Sequence, residues 1–312
     1  MRIHAPAKVN LGLLVGPTDE TAGLHSVDSL FHFTAFGDTV TLEAADKLSL
    51  TCDRNLGIAD EDNLAYRAAV AMGDRFNFAP TVAIHIEKRI PHGAGFGGGS
   101  SDAAAVILGL ATMHGIARND EGLFEVARSL GADVAVFLAP EGAPIMTGFG
   151  DVYVRSAPAA IGLPVVLAQP EDSVLATADV YRAFDSMPHP PREFSPIIDA
   201  MDELMAEGHA TAQDSAWDRG AIFRFGRRMF NTLQVPATRV CRDLSELNMF
   251  LADQRECLGA MVSGSGSGCF ALCQTMADAD AIVARAQRRG YWVVATTLAG
   301  HGAVIEQIDN DN

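Results

Sequence analysis

The segment 91–104 (Pro-His-Gly-Ala-Gly-Phe-Gly-Gly-Gly-Ser-Ser-Asp-Ala-Ala) contains five glycines within seven positions. Glycine loses more backbone entropy on folding than any other residue, so such a run indicates that the fold needs a bare main chain there. Residues 81–87 alternate apolar and polar side chains, which predicts a strand, and residues 102–110 have the apolar spacing of a helix. A strand, a glycine loop and a helix start together direct backbone N–H groups and a positive helix end at an anion. The segment therefore predicts a phosphate site.

The residues around the loop limit which kind of phosphate site it forms. Ser100, Ser101 and Asp102 stand where N-cap residues are expected, and the apolar helix after them disfavours a flexible linker. The P-loop pattern Gly-x-x-x-x-Gly-Lys-[Ser/Thr] does not occur. Residues 93–98 match the dinucleotide pattern Gly-x-Gly-x-x-Gly, but that site needs a second strand that ends in an acidic residue about 20 positions on. Residues 113–122 are polar without a strand pattern, which excludes it.

Composition and charge exclude several classes of protein. The chain has 312 residues, enough for two domains, and a formal net charge of −16, which argues against a nucleic-acid surface. No apolar run approaches the length of about 20 residues that a membrane span needs, and residues 1–8 lack the apolar core of a signal peptide. We expect a cytoplasmic protein without membrane contact, either a monomer or a weak homodimer. The five cysteines are odd in number and mostly scattered, which favours free thiols over a metal site.

Four segments carry a resemblance to one superfamily. Segment 91–104 resembles the second motif of the galactokinase, homoserine kinase, mevalonate kinase and phosphomevalonate kinase (GHMP kinase) superfamily. Residues 5–11 (Ala-Pro-Ala-Lys-Val-Asn-Leu) resemble its first motif, and the glycine-serine turn 263–268 resembles its third. Residues 131–137 resemble a family segment Gly-Ala-Asp-Val-Pro-Val-Phe, with Ala135 in place of the proline. Within the superfamily, the motifs are most similar to those of the 4-diphosphocytidyl-2-C-methyl-D-erythritol kinases.

This resemblance implies a fold and its division into domains. The expected fold is α+β, the two-domain GHMP kinase fold, with a ribosomal protein S5 domain 2-like N-terminal domain and a ferredoxin-like C-terminal domain. Residues 1–157 would form the ATP-binding domain and residues 158–312 the substrate-binding domain, with the last strand able to return to the first domain. Apolar spacing predicts helices at 197–206, 217–232 and 238–253 in the second part.

The resemblance also implies an activity. The expected reaction is transfer of the γ-phosphate of ATP, with Mg²⁺, to a hydroxyl of the small cytidine diphosphate-linked polyol 4-diphosphocytidyl-2-C-methyl-D-erythritol. By family resemblance this is the 2-hydroxyl, in non-mevalonate isoprenoid synthesis. Two alternatives stay open. The acceptor could be another small alcohol, as in mevalonate or homoserine kinases, or the chain could be an ATP-binding regulator without catalysis.

Site residues follow from the motifs, position by position. Asp133 would be the general base, with Lys8 supporting it. The acceptor would contact Asn10, His25 and Tyr181, although Leu24 stands where the family has a tyrosine that stacks on cytosine. Ser101 would be a Mg²⁺ ligand. The nucleotide would be bound by Asn63, Lys88, Pro91, Gly93, Gly95, Gly97, Gly98, Gly99, Ser100, Ser101, Gly264, Ser265 and Gly266. Lys88 could equally do no more than flank the preceding strand.

Overall fold

The computed structural model describes residues 1–306, apart from residues 56, 172, 212 and 213. The strands are β1 (Arg2–Thr18), β2 (His25–Ala44), β3 (Ser49–Cys52), β4 (Val82–Glu87), β5 (Ala143–Thr147), β6 (Val152–Ala157), β7 (Pro164–Pro170), β8 (His209–Thr211), β9 (Asp214–Trp217), β10 (Phe230–Asn231), β11 (Gly259–Val262), β12 (Cys269–Leu272), β13 (Tyr291–Ala299) and β14 (Val304–Ile305). The helices are α1 (Leu64–Phe76), α2 (Gly98–Met113), α3 (Glu121–Leu130), α4 (Ala132–Val136), α5 (Thr177–Asp185), α6 (Ser195–Glu207), α7 (Arg219–Gly226), α8 (Gln234–Val240), α9 (Arg242–Ala252) and α10 (Met276–Gln287). Over the described ranges, none of these helices has the length and apolarity to span a membrane.

Strands β1 and β2 are long and antiparallel, and a twelve-stranded sheet is built around them. The alternation in β1 buries Val9 and Leu11 on one face, as the sequence predicts. The polar face is buried as well, since Lys8 is 3% and Asn10 2% exposed. The backbone N–H of Lys8 donates to the carbonyl of Phe96, 2.9 Å away, so the glycine loop covers this face. Two polar side chains are thereby held in the interior, next to the loop.

Strand β13 connects the two parts of the sheet. Residues 291–297 pair with β7, and Leu298 and Ala299 pair with β2. Strand β14 then pairs with β1 through Val304 and Ile305, a contact of only two residues that periodicity could not reveal. The end of the described chain therefore lies against the first strand, and a domain division after residue 157 stays a prediction.

Helix α2 is the central helix of the first core and is buried on nearly every side. It begins at Gly98, so the sequence prediction that Ser100, Ser101 and Asp102 are N-cap residues is wrong. All three lie inside the helix, and the N-cap is Gly97, which has a φ of 74°. This left-handed conformation suits glycine because a β-carbon there would be strained.

The second part of the chain shows where a uniform apolar spacing overpredicts helix length. Helix α6 fulfils the prediction for 197–206. The predicted helix 217–232 ends at Gly226, and its remainder includes β10, which pairs with β1. The predicted helix 238–253 is two helices, because Cys241 between α8 and α9 is extended. All five cysteines are free thiols, as expected.

Candidate active site

The three predicted motifs meet at one cleft of about 680 Å³. Strand β1 contributes its polar side chains, the glycine loop and the start of α2 form one wall, and the turn between β11 and β12 closes another. Helices α4 and α5 supply side chains on the remaining side. Segments that are far apart in the sequence are therefore brought together around a single space.

The glycine loop needs its glycines for backbone conformation and for close approach. Gly93, Gly95 and Gly97 have φ values of 68°, 72° and 74°, in the left-handed region. A β-carbon on Gly95 would lie 2.2 Å from the carbonyl oxygen of Ser263, which no side chain could tolerate. The Ser263 hydroxyl donates to the carbonyl of Gly95, 3.0 Å away. The second and third motifs are also joined backbone to backbone, because the N–H groups of Ser267 and Gly268 donate to the carbonyls of Gly93 and Ala94 at 3.2 and 2.9 Å.

The start of α2 presents N–H groups towards the cleft. The first N–H groups of a helix have no partner within the helix and lie at the positive end of its dipole. Gly98, Gly99 and Ser100 line the cleft at this end. Ser101 differs from them, because its side chain is fully buried and its hydroxyl has no hydrogen-bond partner among the described residues. This end of the helix is therefore suited to bind an anion.

A lysine and a carboxylate lie next to each other in the cleft. Lys8 Nζ lies 3.3 Å from Asp133 Oδ2 and donates to Asn10 Oδ1 at 2.8 Å. The Asn10 amide in turn donates to the Ser29 hydroxyl at 2.8 Å, which fixes its orientation. Asp133, in the first turn of α4, is 40% exposed, whereas Lys8 is buried. The arrangement holds a cation deep in the cleft beside a carboxylate that a ligand can reach.

Lys88 lies between two buried carboxylates. Its Nζ is 2.5 Å from Asp38 Oδ2 and 2.5 Å from Asp102 Oδ2. Burial alone would lower the pKa of Lys88, but the charges of Asp102 and Asp38 raise it above the ordinary lysine value. Burial also raises the pKa of Asp102, whose Oδ1 faces no hydrogen-bond donor among the described residues. The sequence assigned neither acid to the site, and Asp102 was predicted only as an N-cap residue.

Asn63 caps a helix and also lines the cleft. It is the N-cap of α1, where its side-chain oxygen accepts from the N–H of Ala65 at 2.9 Å, and it also lines the cleft. The carboxylate of Asp62 lines the same end. The cap therefore fixes the helix at the edge of the cleft in which the nucleotide was expected.

Tyr181 and Phe149 are aromatic residues in the wall of the cleft, together with Phe31. Tyr181 on α5 lines it, and burial together with the charge of Asp133 raises the pKa of Tyr181 to about 12, so its hydroxyl stays protonated. Phe149 lines it as well and is 37% exposed. Leu24, which replaces the family's tyrosine, is 54% exposed and is not part of the wall. Phe149 is held beside Val27 of β2 by a bridge, a long-range contact that the sequence could not show.

His25 lies behind Tyr181 and not in the wall of the cleft. The two rings are 5.3 Å apart, and His25 Nε2 is 3.0 Å from Asp185 Oδ1. Its Nδ1 is 2.9 Å from the carbonyl of Gly16. The histidine thus supports Tyr181 from behind, and a role in contacting the acceptor stays a prediction.

The structure therefore gathers the predicted site residues with two exceptions. All of them line the cleft except Ser101, which is buried beneath it, and His25, which is behind Tyr181. Residues that the sequence did not assign but that belong to the same wall or support it are Asp38, Asp102 and Phe149.

Comparison with known proteins identifies the family. The family model described as GHMP kinases N terminal domain matches residues 63–140, and the model described as GHMP kinases C terminal matches residues 218–291. The chain is 36% identical to the 4-diphosphocytidyl-2-C-methyl-D-erythritol kinase of Caulobacter sp. (strain K31) over 95% of this chain and 97% of that protein. It is also 36% identical to the kinase of the same name from Xanthobacter autotrophicus (strain ATCC BAA-1158 / Py2), over 96% and 99% of the two chains.

Solved structures of related proteins have the same fold. A crystal structure of 4-(cytidine 5'-diphospho)-2C-methyl-D-erythritol kinase matches with a TM-score of 0.74 and 32% identity, over 96% of this chain and 100% of that one. Homoserine kinase from Cytophaga hutchinsonii ATCC 33406 matches with a TM-score of 0.68 and 18% identity over 97% and 96%, which shows the shared fold. The predicted two-domain GHMP kinase fold is confirmed. The chain belongs to the GHMP kinase family, whose members use ATP as phosphate donor, and within it to the 4-diphosphocytidyl-2-C-methyl-D-erythritol kinases.

Proposed function

We propose that this protein transfers the γ-phosphoryl group of ATP to a hydroxyl of 4-diphosphocytidyl-2-C-methyl-D-erythritol, the 2-hydroxyl by family resemblance. The observation that carries the proposal is the pair of Lys8 and Asp133, 3.3 Å apart, in the same cleft as the glycine loop. Phosphoryl transfer depends mainly on alignment and on neutralisation of charge, and this cleft offers groups for both. The relatives at 36% identity carry the name of this activity.

Each group of residues in the cleft would have its own role in the phosphoryl transfer. N–H groups of the glycine loop and of the first turn of α2 would hold the phosphates. The acceptor oxygen forms a bond to the γ-phosphorus while the bond to the bridging oxygen of ADP breaks. Asp133 would take the proton of the hydroxyl, a contribution of about 10²–10⁴-fold for a general base. Lys8 is oriented by Asn10 and would offset the negative charge near the attacking oxygen.

The residues beneath the loop fit a Mg²⁺ ion. Ser101 Oγ and Asp102 Oδ1 are buried oxygen atoms without a hydrogen-bond partner among the described residues. Mg²⁺ prefers oxygen ligands and is usually held by one or two carboxylates together with substrate phosphates. Over the same described ranges, no group of three or more His, Cys, Asp or Glu residues could hold a metal alone. Ser101 and Asp102 would therefore hold the ion, which supplies charge neutralisation on the phosphates.

The acceptor end fits a ligand that carries a base. Tyr181 and Phe149 expose aromatic surface to the cleft. An aromatic side chain can stack on a base, which an aliphatic residue at position 24 could not do. The proposal therefore assigns base recognition to Tyr181 and Phe149, with Asn10 near the reacting hydroxyl.

Release of ADP with different alcohols tests the proposal. The purified protein with MgATP should release ADP when 4-diphosphocytidyl-2-C-methyl-D-erythritol is added, and not with mevalonate or homoserine at the same concentration. Stimulation by mevalonate or homoserine alone would replace the proposed acceptor. Binding of ATP without stimulation by any of the three would favour the regulator.

A further inference from the structure

Three buried charged residues connect the two ends of the glycine loop. Asp38 lies near the end of β2, Lys88 directly follows β4 before the loop, and Asp102 lies in α2 after it. They are 0%, 4% and 2% exposed. Lys88 Nζ is 2.5 Å from a carboxylate oxygen of each acid. One ammonium group therefore joins three elements that meet beneath the loop.

Asp38 holds the entrance of the loop at two further points. Its Oδ1 accepts from the backbone N–H of Arg89 at 2.5 Å and of Ile90 at 2.7 Å. Its Oδ2 accepts from Lys88. A single carboxylate thus fixes the three residues that lead into the loop, and Lys88 extends that connection to Asp102 at the exit.

We infer that Asp38, Lys88 and Asp102 form an ionic clamp that positions the glycine loop for ATP, so that Lys88 is a positioning residue and not a direct phosphate contact. This inference rests on the proposed nucleotide site. Five glycines leave the loop itself little intrinsic preference for one conformation, and fixing both ends restricts the conformations that it can adopt. Displacements of about 1 Å in positioning groups can cost about 10²-fold in rate.

The charges make the clamp cooperative. Both carboxylates depend on the same ammonium, and removal of one member of a buried ion pair leaves an uncompensated charge. A β-carbon on Gly98 would lie 3.0 Å from Lys88 Nζ, so the first residue of α2 packs directly on the clamp. The start of the helix and the charged group beneath it are therefore coupled by contact as well as by charge.

A double-mutant cycle tests the clamp. The variants are Lys88→Met, Asp38→Asn and the double variant, and the readouts are KM for ATP, KM for the acceptor, and direct titration with N-methylanthraniloyl-ATP. Each single variant should raise KM and the dissociation constant for the nucleotide about tenfold or more, with acceptor KM within about twofold. The double variant should be no worse than the poorer single variant, because groups that act as one unit are not additive.

Other outcomes overturn the inference. If Asp38→Asn leaves nucleotide affinity within twofold while Lys88→Met lowers it, or if the two effects multiply, Lys88 acts as a phosphate contact by itself. Equal changes in the KM of both substrates would indicate a general loss of structure instead of loop positioning. If Lys88→Met does not fold, Lys88→Gln replaces it in the cycle with Asp38→Asn; Asp102 is left unchanged, because it is also a proposed Mg²⁺ ligand. Asp53→Asn is the control, because Asp53 Oδ1 accepts from the backbone N–H of Lys88 at 2.8 Å and from the Cys52 thiol at 3.8 Å, and an amide oxygen can replace it in both contacts. The titration needs no acceptor, so a wrong acceptor assignment would leave this result intact.

Discussion

Replacement of Asp133 by asparagine isolates the chemical step from the rest of the cleft. The side chain keeps its size, and the amide oxygen can still accept from Lys8, 3.3 Å away, but it cannot take a proton from the acceptor hydroxyl. We expect kcat to fall by about 10²–10⁴-fold, the contribution of a general base. This corresponds to about 3–5 kcal/mol of activation free energy at 1.36 kcal/mol per factor of ten.

The structure separates this loss from a loss of stability. Lys8 is buried but Asp133 is 40% exposed, and the asparagine oxygen still accepts from the ammonium, so the change loses only a partly solvated ion pair, about 0–1 kcal/mol. The free energy of unfolding should therefore change by at most about 1 kcal/mol, and KM for ATP should stay within about threefold since the glycine loop is untouched. The assay is steady-state ADP release combined with urea unfolding. Glu121→Gln is the control, because its exposed carboxylate on α3 pairs with Arg128 at the surface. Turnover of Asp133→Asn within tenfold of the unsubstituted protein would refute the assignment of the base.

Two further predictions follow from the acceptor end and from a buried histidine. Phe149→Ala should raise the KM for the acceptor about 5- to 150-fold, because base stacking contributes about 1–3 kcal/mol. The KM of Leu24→Ala should stay within about twofold of the unsubstituted protein. Equal effects of the two substitutions would contradict a stacking role for Phe149. His32 is fully buried, and burial lowers its pKa to about 4 while its Nε2 accepts from the N–H of Ala160 at 2.9 Å. Because the unfolded chain binds this proton at higher pH than the folded one, folding stability should be lost as pH falls from about 6.5 to 4, by about 3 kcal/mol in total. Urea unfolding at pH 7.5 and 5.0 checks this prediction, and His32→Asn should lose less stability between the two pH values. An equal loss in both proteins would show that His32 is not the titrating group.

The sequence predicted secondary structure correctly where the residues that determine it lie close together in the chain. The glycine run predicted the strand before it and the helix after it, because each lies within a few residues of the loop. The predicted start of this helix, at residue 102, was four positions too late. The helix begins at Gly98, because the left-handed conformation of Gly97 takes the place of a side-chain cap. The predicted helix 217–232 failed in its second half for a different reason. There, β10 pairs with β1, and a partner more than 200 residues away overrides helical spacing.

Polar residues were harder to interpret than apolar ones. Lys88 could be assigned to a nucleotide or to a strand end with equal justification, and only the structure shows both of its carboxylate partners. The replacement of the family's tyrosine by Leu24 left open an acceptor other than the cytidine-linked polyol. The structure places that residue outside the wall and Phe149 inside it.

The sequence by itself determined the glycine loop between a strand and a helix, because backbone freedom is a property of the chain, whereas the order of the three motifs and the Lys8 and Asp133 pair were predicted from the resemblance to the family. Only the tertiary structure decided which side chains meet. Asp38 and Asp102 face Lys88, and Phe149 faces the cleft, through strand pairing and helix packing between distant segments. Burial then decides how these groups behave, since the cost of an isolated charge depends on the solvent that the fold removes.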